Sequence, residues 1–300
     1  MSVFKDHKIS LKQVLDFIPE ALLSHLSATT KVDYYSKVLH GKKMFYLLLF
    51  CIFDNEKLSQ RTLEDTFNSS GFKALFGLGE KEKVRRSSIS ERLSKIDPNY
   101  FKEIYEQMYG RFSELYSKTE IEKYNLIRVD STIVADTCAK LKEGIDQKSG
   151  KKLVKFSFSF DGILPSGVEV FTGQKYSSEE AALTEAILKQ VKKEEHHENI
   201  YVIDRGLQST RVMKDFDEKS VKFIIRSKEN RKFEEIESFL DGKKSQKWDD
   251  WEVMKDSKVK LYTGKPVLNK RGNIHHREEK VETCFRLVVI KNEKKDKEFW

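Results

Sequence analysis

The sequence predicts a mixed α/β (α+β) chain in three stretches. Residues 1–120 read as an all-helical region, 121–230 as a sheet core with the order β-β-β-α-β-α-β, and 231–300 as a β-rich insertion. Three observations carry this reading. Up to about residue 120, apolar residues recur three and four apart, which is the helical period. At Leu153–Phe160 (LVKFSFSF) the period becomes two, as in a half-buried strand. Short apolar runs with β-branched members, NLIRV at Asn125–Val129 and YVI at Tyr201–Ile203, have the pattern of buried strands.

Composition narrows the function classes. The chain carries 56 Lys plus Arg against 48 Asp plus Glu, a net charge of +8 that favours a polyanionic partner over a membrane. Residues 243–300 hold 16 of the cations and 10 of the anions, so most of the excess lies in the last stretch. Cys51, Cys138 and Cys284 are scattered with no C-x-x-C, as expected of reduced core thiols in a cytoplasmic protein. The most apolar run, Met44–Phe53, is too short to span a bilayer and fits a buried helix.

In the first stretch helices are expected at Ser10–Ile18, Tyr34–Leu39, Lys42–Phe53, Ser59–Thr66 and Tyr100–Tyr116, with a glycine-bearing turn region at Gly71–Gly79. Within Arg85–Ile96 (RRSSISERLSKI), Ser88 and Glu91 have capping-box spacing, and Asp97-Pro98 ends the helix. A short helix opened by serines and preceded by arginines suits a recognition helix of a helix-turn-helix, with Arg85, Arg86, Ser88 and Arg92 as DNA contacts. An ordinary solvated bundle helix is the alternative.

In the second stretch the strand Asn125–Val129 runs into Asp130. Leu153–Phe160 and Val168–Phe171 follow, joined by a loop lengthened by Pro165-Ser166-Gly167. A helix from about Ser178 to Glu195 is opened by a capping box of Ser177 and Glu180. Strand Ile200–Ile203 ends on Asp204, and helix Gln208–Phe216 and strand Val221–Arg226 complete the set. A three-strand meander followed by right-handed crossovers is the succession of an RNase H-like core. There the first and fourth strands are neighbours, so Asp130 and Asp204 would lie side by side. Alone, Asp204 reads equally well as a helix N-cap. Asp161 belongs to a turn with Gly162, and Asp136 lacks a preceding apolar strand.

Two carboxylates about 4 Å apart repel by roughly 4 kcal/mol at an effective dielectric near 20. A divalent cation relieves this, and hard oxygen donors select Mg²⁺ or Mn²⁺ over zinc. Such sites serve phosphodiester cleavage and usually include a third carboxylate.

The blocks V-D-S-T (Val129–Thr132) and Y-V-I-D-R-G-L (Tyr201–Leu207) resemble those of DDE transposases of bacterial insertion sequences, in the class named after insertion sequence four. The resemblance covers the whole chain in outline. It implies that Asp130 and Asp204 are catalytic, metal-binding acids; Arg205 beside the second acid suits a phosphate contact or, equally, a surface or core-edge salt bridge. It also implies double-stranded DNA as partner (element ends and target), a homodimer in a synaptic complex, and work on the nucleoid. The family's third acid lies in a Tyr-x2-Arg-x3-Glu-x6-Lys block. No Tyr-x-x-Arg occurs here, and Glu278, Glu282, Glu293 and Glu298 do not match, so the chain is expected to end before that helix. A non-catalytic DNA-binding or dimerising remnant, and an RNase H-like nuclease with a local Glu as third acid, stand beside the transposase reading. Trp248 and Trp251 are expected to pack in a core, although a related aromatic could stack on a flipped base. The pairs His196-His197 and His275-His276 lack zinc-site spacing.

Overall fold

Helix boundaries in the first 114 residues follow local capping chemistry. Pro19 precedes α1 (Glu20–Thr29), and Gly41 opens α2 (Gly41–Asp54). The Ser59 hydroxyl accepts from Thr62 N–H at the start of α3 (Gln60–Asn68), and Ser69 accepts from Phe72 N–H to open α4 (Ser70–Leu75). Two further helices follow, α5 (Arg86–Lys95) and α6 (Pro98–Ser113). Pro98 takes the first position of α6, and Asp97 caps it by accepting from Asn99 N–H. The coordinates are a computed structural model, which describes residues 15–54, 58–114, 124–134, 143–162, 164–193, 198–240, 247–268, 274–292, 294 and 297–300. The chain divides into two compact units, Met1–Tyr116 and Ser117–Trp300. Among the described residues no helix is long and apolar enough to cross a membrane.

The apolar run of α2 buries Met44, Leu47 and Cys51 against Leu63 and Phe67 of α3, Phe72 of α4 and Ile89 of α5. Three expectations fail in this unit. Tyr34–Leu39 is not helical, because Lys31 (φ 51) and Tyr35 (φ 63) take left-handed backbone that interrupts a helix. The Gly71–Gly79 stretch begins inside α4, where the Ser69 cap and the buried Phe72 outweigh the glycine. Helix α5 starts two residues before Ser88, so Ser88 caps nothing and Glu91 pairs instead with Lys95 at 2.6 Å. Most of the expected Ser10–Ile18 helix lies outside the described residues.

The second unit opens with β1 (Leu126–Val134), β2 (Ile145–Asp146), β3 (Lys152–Asp161) and β4 (Leu164–Phe171). It continues through α7 (Glu179–Val191), β5 (Ile200–Ile203), α8 (Thr210–Glu218) and β6 (Lys222–Ile225). The main strand order is β4-β3-β1-β5-β6, with β2 also pairing β3. Strands β3 and β4 run antiparallel to their neighbours, whereas β1, β5 and β6 are mutually parallel. This is the RNase H-like arrangement that the element order predicts. The β3–β4 connection is shorter than expected. Asp161 pairs with Leu164, and Gly162 (φ +75) makes the turn that an ordinary residue resists.

The two faces of this sheet differ. Ile127, Val129, Tyr201 and Ile203 join Leu183 and Ile187 of α7 and Met213 and Phe216 of α8 in one core. On β3 that covered face carries Lys155, Ser157 and Ser159, all buried. Phe156, Phe158 and Phe160 lie on the opposite face, as a row with centroids 6.3 and 6.5 Å apart. Val170 and Ile224, 51% and 53% exposed, share that face by register. The alternation in LVKFSFSF thus marks a two-faced strand, but its polar half faces the described core.

A second sheet holds β7 (Phe233–Ser238), β8 (Lys247–Trp248), β9 (Trp251–Leu268), β10 (Ile274–Asn292) and β11 (Lys297–Phe299), in the order β11-β10-β9-β7 with β8 on β9. Phe233–Phe239, expected as a helix, is mostly β7. Its glutamates find lysines across the sheet, Glu234 with Lys280 and Glu235 with Lys255. Trp251–Met254 and Val259–Tyr262 are parts of one long strand paired with β10, with irregularities in the ladder at Met254 and Leu261. Val259 and Leu261 enter the same core as Ile127 and Ile203, so the β-rich stretch shares its hydrophobic interior with the first sheet. Trp251 packs edge-on to Phe299, whereas Trp248 is 81% exposed and belongs to no core. Trp248 pairs with Trp251 in the short β8–β9 ladder, and both residues of β8 are exposed.

Candidate active site

Strands β1 and β5 run parallel, with Ile127 paired to Tyr201, Arg128 to Val202 and Val129 to Ile203. The next residue on each chain is an aspartate. Asp130 and Asp204 therefore occupy adjacent positions just past the last β1–β5 pair, Asp130 midway along β1, which continues to Val134 beside β3, and Asp204 as the first residue after β5. Both side chains are exposed. Asp130 pairs with Phe158 on β3, which puts it on the sheet face away from α7. Its Oδ1 accepts from the N–H of Ser131 at 2.8 Å. Beyond Asp204 the chain leaves the sheet, and the Leu207 N–H donates to the Asp204 carbonyl at 3.4 Å.

The turn after Asp204 is held from several sides. Glu180 Oε2 accepts from the N–H groups of Gln208 (3.2 Å) and Ser209 (2.9 Å). The Ser178 hydroxyl caps α7 by accepting from Ala181 N–H, so the Ser177–Glu180 capping box does not form. The Glu180 carboxylate reaches across to the start of α8 instead, where negative charge is favourable. A Cβ on Gly206 would lie 2.7 Å from Cδ and Oε1 of Glu179, so glycine is what lets that side chain pass. Glu179 Oε1 also lies 3.4 Å from Ser131 Oγ. Ser209, rather than Asp204, caps α8 by accepting from Val212 N–H. Asp204 is therefore free of the N-cap role that its position in the sequence also suggested.

Arg231 is half-buried, donating through Nη2 to Gln208 O at 2.9 Å and Thr210 Oγ1 at 2.7 Å. Burial pulls its pKa below the usual arginine value, and the charge of Glu180 opposes that shift. Lys155, buried beneath the sheet, donates to Ser177 O at 3.0 Å. Its ammonium pKa is lowered by desolvation, partly offset by Glu179.

Two adjacent exposed carboxylates are hard oxygen donors, which fits a divalent cation of the Mg²⁺ or Mn²⁺ kind. Among the described residues no group of three His, Cys, Asp or Glu side chains is placed to hold a metal ion. A local Glu as third acid, the requirement of the nuclease reading, thus has no support among them. Glu282 pairs with Lys260 in the second sheet, at 2.6 Å. Asp136, Cys138, His196, His197 and Glu293 lie outside the described residues, as do the side chains of His275, His276 and Glu278.

A family model described as the transposase DDE domain matches residues 122–294, more than half of the chain. The chain belongs to the transposase DDE domain family. The match spans both aspartate strands and most of the second sheet. DDE domains generally use divalent metal ions, in keeping with the donor set at Asp130 and Asp204. A cryo-EM structure of a piggyBac transposase synaptic complex with hairpin DNA is similar at 12% identity and a TM-score of 0.37. That likeness covers 87% of this chain and 58% of the piggyBac chain, so this DDE chain spans little more than half the length of that relative. No curated protein matches.

The helical unit precedes the matched DDE domain and has a charged groove of its own. Gln60, Arg61 and Glu64 of α3 face Arg85, Arg86 and Ser90 at the start of α5 across a groove of ≈ 580 Å³. Gln60 Nε2 donates to Ser90 Oγ at 3.2 Å and ties the walls together. Arg61, Arg85 and Arg86 are exposed, and their guanidinium groups have no partner among the described residues. Ser88 is exposed in the first turn of α5. Arg92 lies elsewhere. Its guanidinium donates to Leu39 O (2.8 Å) and Val32 O (2.6 Å) and lies 3.7 Å from Asp33. Burial lowers its pKa, with Asp33 opposing. Arg92 is thus a bundle tie, removed from the exposed face of the helix. Arg205 is exposed beside Asp204, with no partner among the described residues. Sequence reading missed Arg61, Glu179, Glu180 and Arg231 as site neighbours. Arg61 had one available signal, its place at the start of a helix neighbouring the Arg85-Arg86 pair.

Proposed function

We propose that this chain supplies two carboxylates of a metal-dependent DNA strand-cleaving and strand-transferring centre of an insertion-sequence transposase. One observation carries the reading. The parallel register of Val129 with Ile203 makes Asp130 and Asp204 neighbours where the pairing of β1 with β5 ends. Asp130 and Asp204 bind Mg²⁺ or Mn²⁺, and the Ser131 N–H orients the Asp130 carboxylate. When bound, the ion supplies Lewis-acid stabilisation and an acidified water or hydroxyl for phosphodiester chemistry. Arg205 is placed to meet a phosphate oxygen beside Asp204. Arg61, Arg85, Arg86 and Ser88 hold the backbone of duplex DNA at the element's ends. A homodimer joins two such ends in a synaptic complex on the nucleoid.

The test is nicking of supercoiled DNA that carries the element's ends, with Mn²⁺ and the purified chain. Nicking that falls at least about 100-fold in both Asp130→Asn and Asp204→Asn supports the centre. Equal nicking by either variant refutes it. A second reading, DNA binding without cleavage, is favoured by the arginine groove, which lies in a compact unit separate from the aspartates. Salt-sensitive binding with no nicking by the parent chain would select it.

A further inference from the structure

Asp204 is the first of six residues, Asp204–Ser209, that belong to neither strand nor helix. A metal-binding carboxylate in such a segment needs its backbone held to a fraction of an ångström. Both flanks of this segment lead to one residue. The Arg226 N–H donates to Ile203 O (3.3 Å), just before Asp204, and Arg226 O accepts from Gln208 Nε2 (3.1 Å), just after the turn. The two backbone groups of Gln208 are also engaged. Its N–H goes to Glu180 Oε2 and its carbonyl to Arg231 Nη2. Arg231 adds Thr210 Oγ1, and that hydroxyl itself donates to Tyr262 O in the second sheet at 2.8 Å. Leu207 is fully buried between these anchors. The clamp therefore joins α7, the end of β6, the start of α8 and the long strand β9.

We propose that Arg231 and Glu180 are positioning residues for Asp204, fixing its turn so that its carboxylate meets the same ion as Asp130. The proposal rests on the metal-binding reading of the two aspartates. Neither residue touches the ion. Each acts through the backbone of Gln208, whose displacement moves the Asp204 turn.

The experiment uses the full chain and Mn²⁺ alone, with free Mn²⁺ counted by electron paramagnetic resonance. Amide exchange over Leu207–Thr210 is followed in parallel by mass spectrometry. Arg231→Met should weaken Mn²⁺ binding about tenfold, the lower end for residues that orient metal ligands, and speed exchange in that segment. Arg231→Lys, which keeps a cationic donor, should recover most of the affinity. Glu180→Gln keeps shape and an acceptor oxygen but drops the charge, and should weaken binding about threefold. It decides the matter if Arg231→Met does not fold. Parent-level Mn²⁺ affinity in Arg231→Met and Glu180→Gln, even with faster exchange, overturns the positioning role alone. A parent chain that binds no Mn²⁺ overturns the metal reading, and this proposal falls with it.

Discussion

Arg92→Met separates a DNA contact from a bundle tie. The side chain of Arg92 is 11% exposed. Methionine retains much of its apolar stem packing but removes the guanidinium. Two carbonyls, Val32 O and Leu39 O, then lose donors at 2.6 and 2.8 Å, in a part-buried setting. Hydrogen bonds from a charged donor contribute roughly 1.5–3 kcal/mol each, and water reaching the exposed edge returns a share. The ion pair to Asp33, at 3.7 Å, adds little. The expected loss is about 2–4 kcal/mol. For a unit near 100 residues this corresponds to a fall in Tm of roughly 10–20 °C. All three tryptophans lie in the second unit, whereas six of the eight described helices lie in the first. Ellipticity at the helical band therefore follows the first unit and tryptophan fluorescence the second. The fall should appear in ellipticity and be nearly absent from fluorescence. An ellipticity midpoint within about 1 °C of the parent, together with a loss of DNA affinity, would refute the reasoning.

Three further outcomes are expected. Replacing Arg61, Arg85 and Arg86 with Ala should weaken duplex binding and flatten the plot of log K against log salt by about 0.9 for each phosphate no longer neutralised, with Tm unchanged; fluorescence anisotropy across a salt series reads both. Gly206→Ala should cost roughly 0.5–1.5 kcal/mol as Glu179 is pushed off its rotamer, and Glu179→Ala in the same chain should recover it, measured by urea unfolding. Asp256 is held below its ordinary pKa of 3.8 by its hydrogen bond to Arg286, whose charge acts in the same direction. A lowered carboxylate pKa contributes stability that is full above the unfolded value and is lost as pH falls through the folded one. The parent should therefore lose stability more steeply than Arg286→Ala below about pH 4, and carboxyl NMR should show the Asp256 pKa rising in the variant.

The order of the main strands was legible because each announces itself, whereas the two-residue β2 (Ile145–Asp146) is too short to leave a pattern. NLIRV and YVI are short, apolar and β-branched, and each runs straight into an aspartate. Strand pairing then had to bring the two acids together, since a parallel first–fourth pair is built into the order β-β-β-α-β-α-β. Competition for the same groups hid other features. Ser88 and Glu91 have capping-box spacing, but α5 starts earlier and Lys95 takes the glutamate. Glu180 has the same spacing from Ser177, yet the N–H groups opening α8 draw its carboxylate across space. Arg92 looks like a helix-face cation until the left-handed residues at Lys31 and Tyr35 fold carbonyls toward it. Phe233–Phe239 has helical spacing, but a strand with lysines facing its glutamates overrides that weak local preference. Arg231 carried no local signal, because its partners are backbone and hydroxyl atoms 21 to 23 residues earlier.

The central claim is that Asp130 and Asp204 share one cation, and a double-mutant cycle on Mn²⁺ affinity tests it most directly. Isothermal titration of the parent, Asp130→Ala, Asp204→Ala and the double variant yields the coupling between the two positions. If both ligate one ion, either single change should weaken binding at least about tenfold, and the double change should add much less than the sum of the two. Two independent, additive losses, or single variants that bind Mn²⁺ as the parent does, would contradict the account.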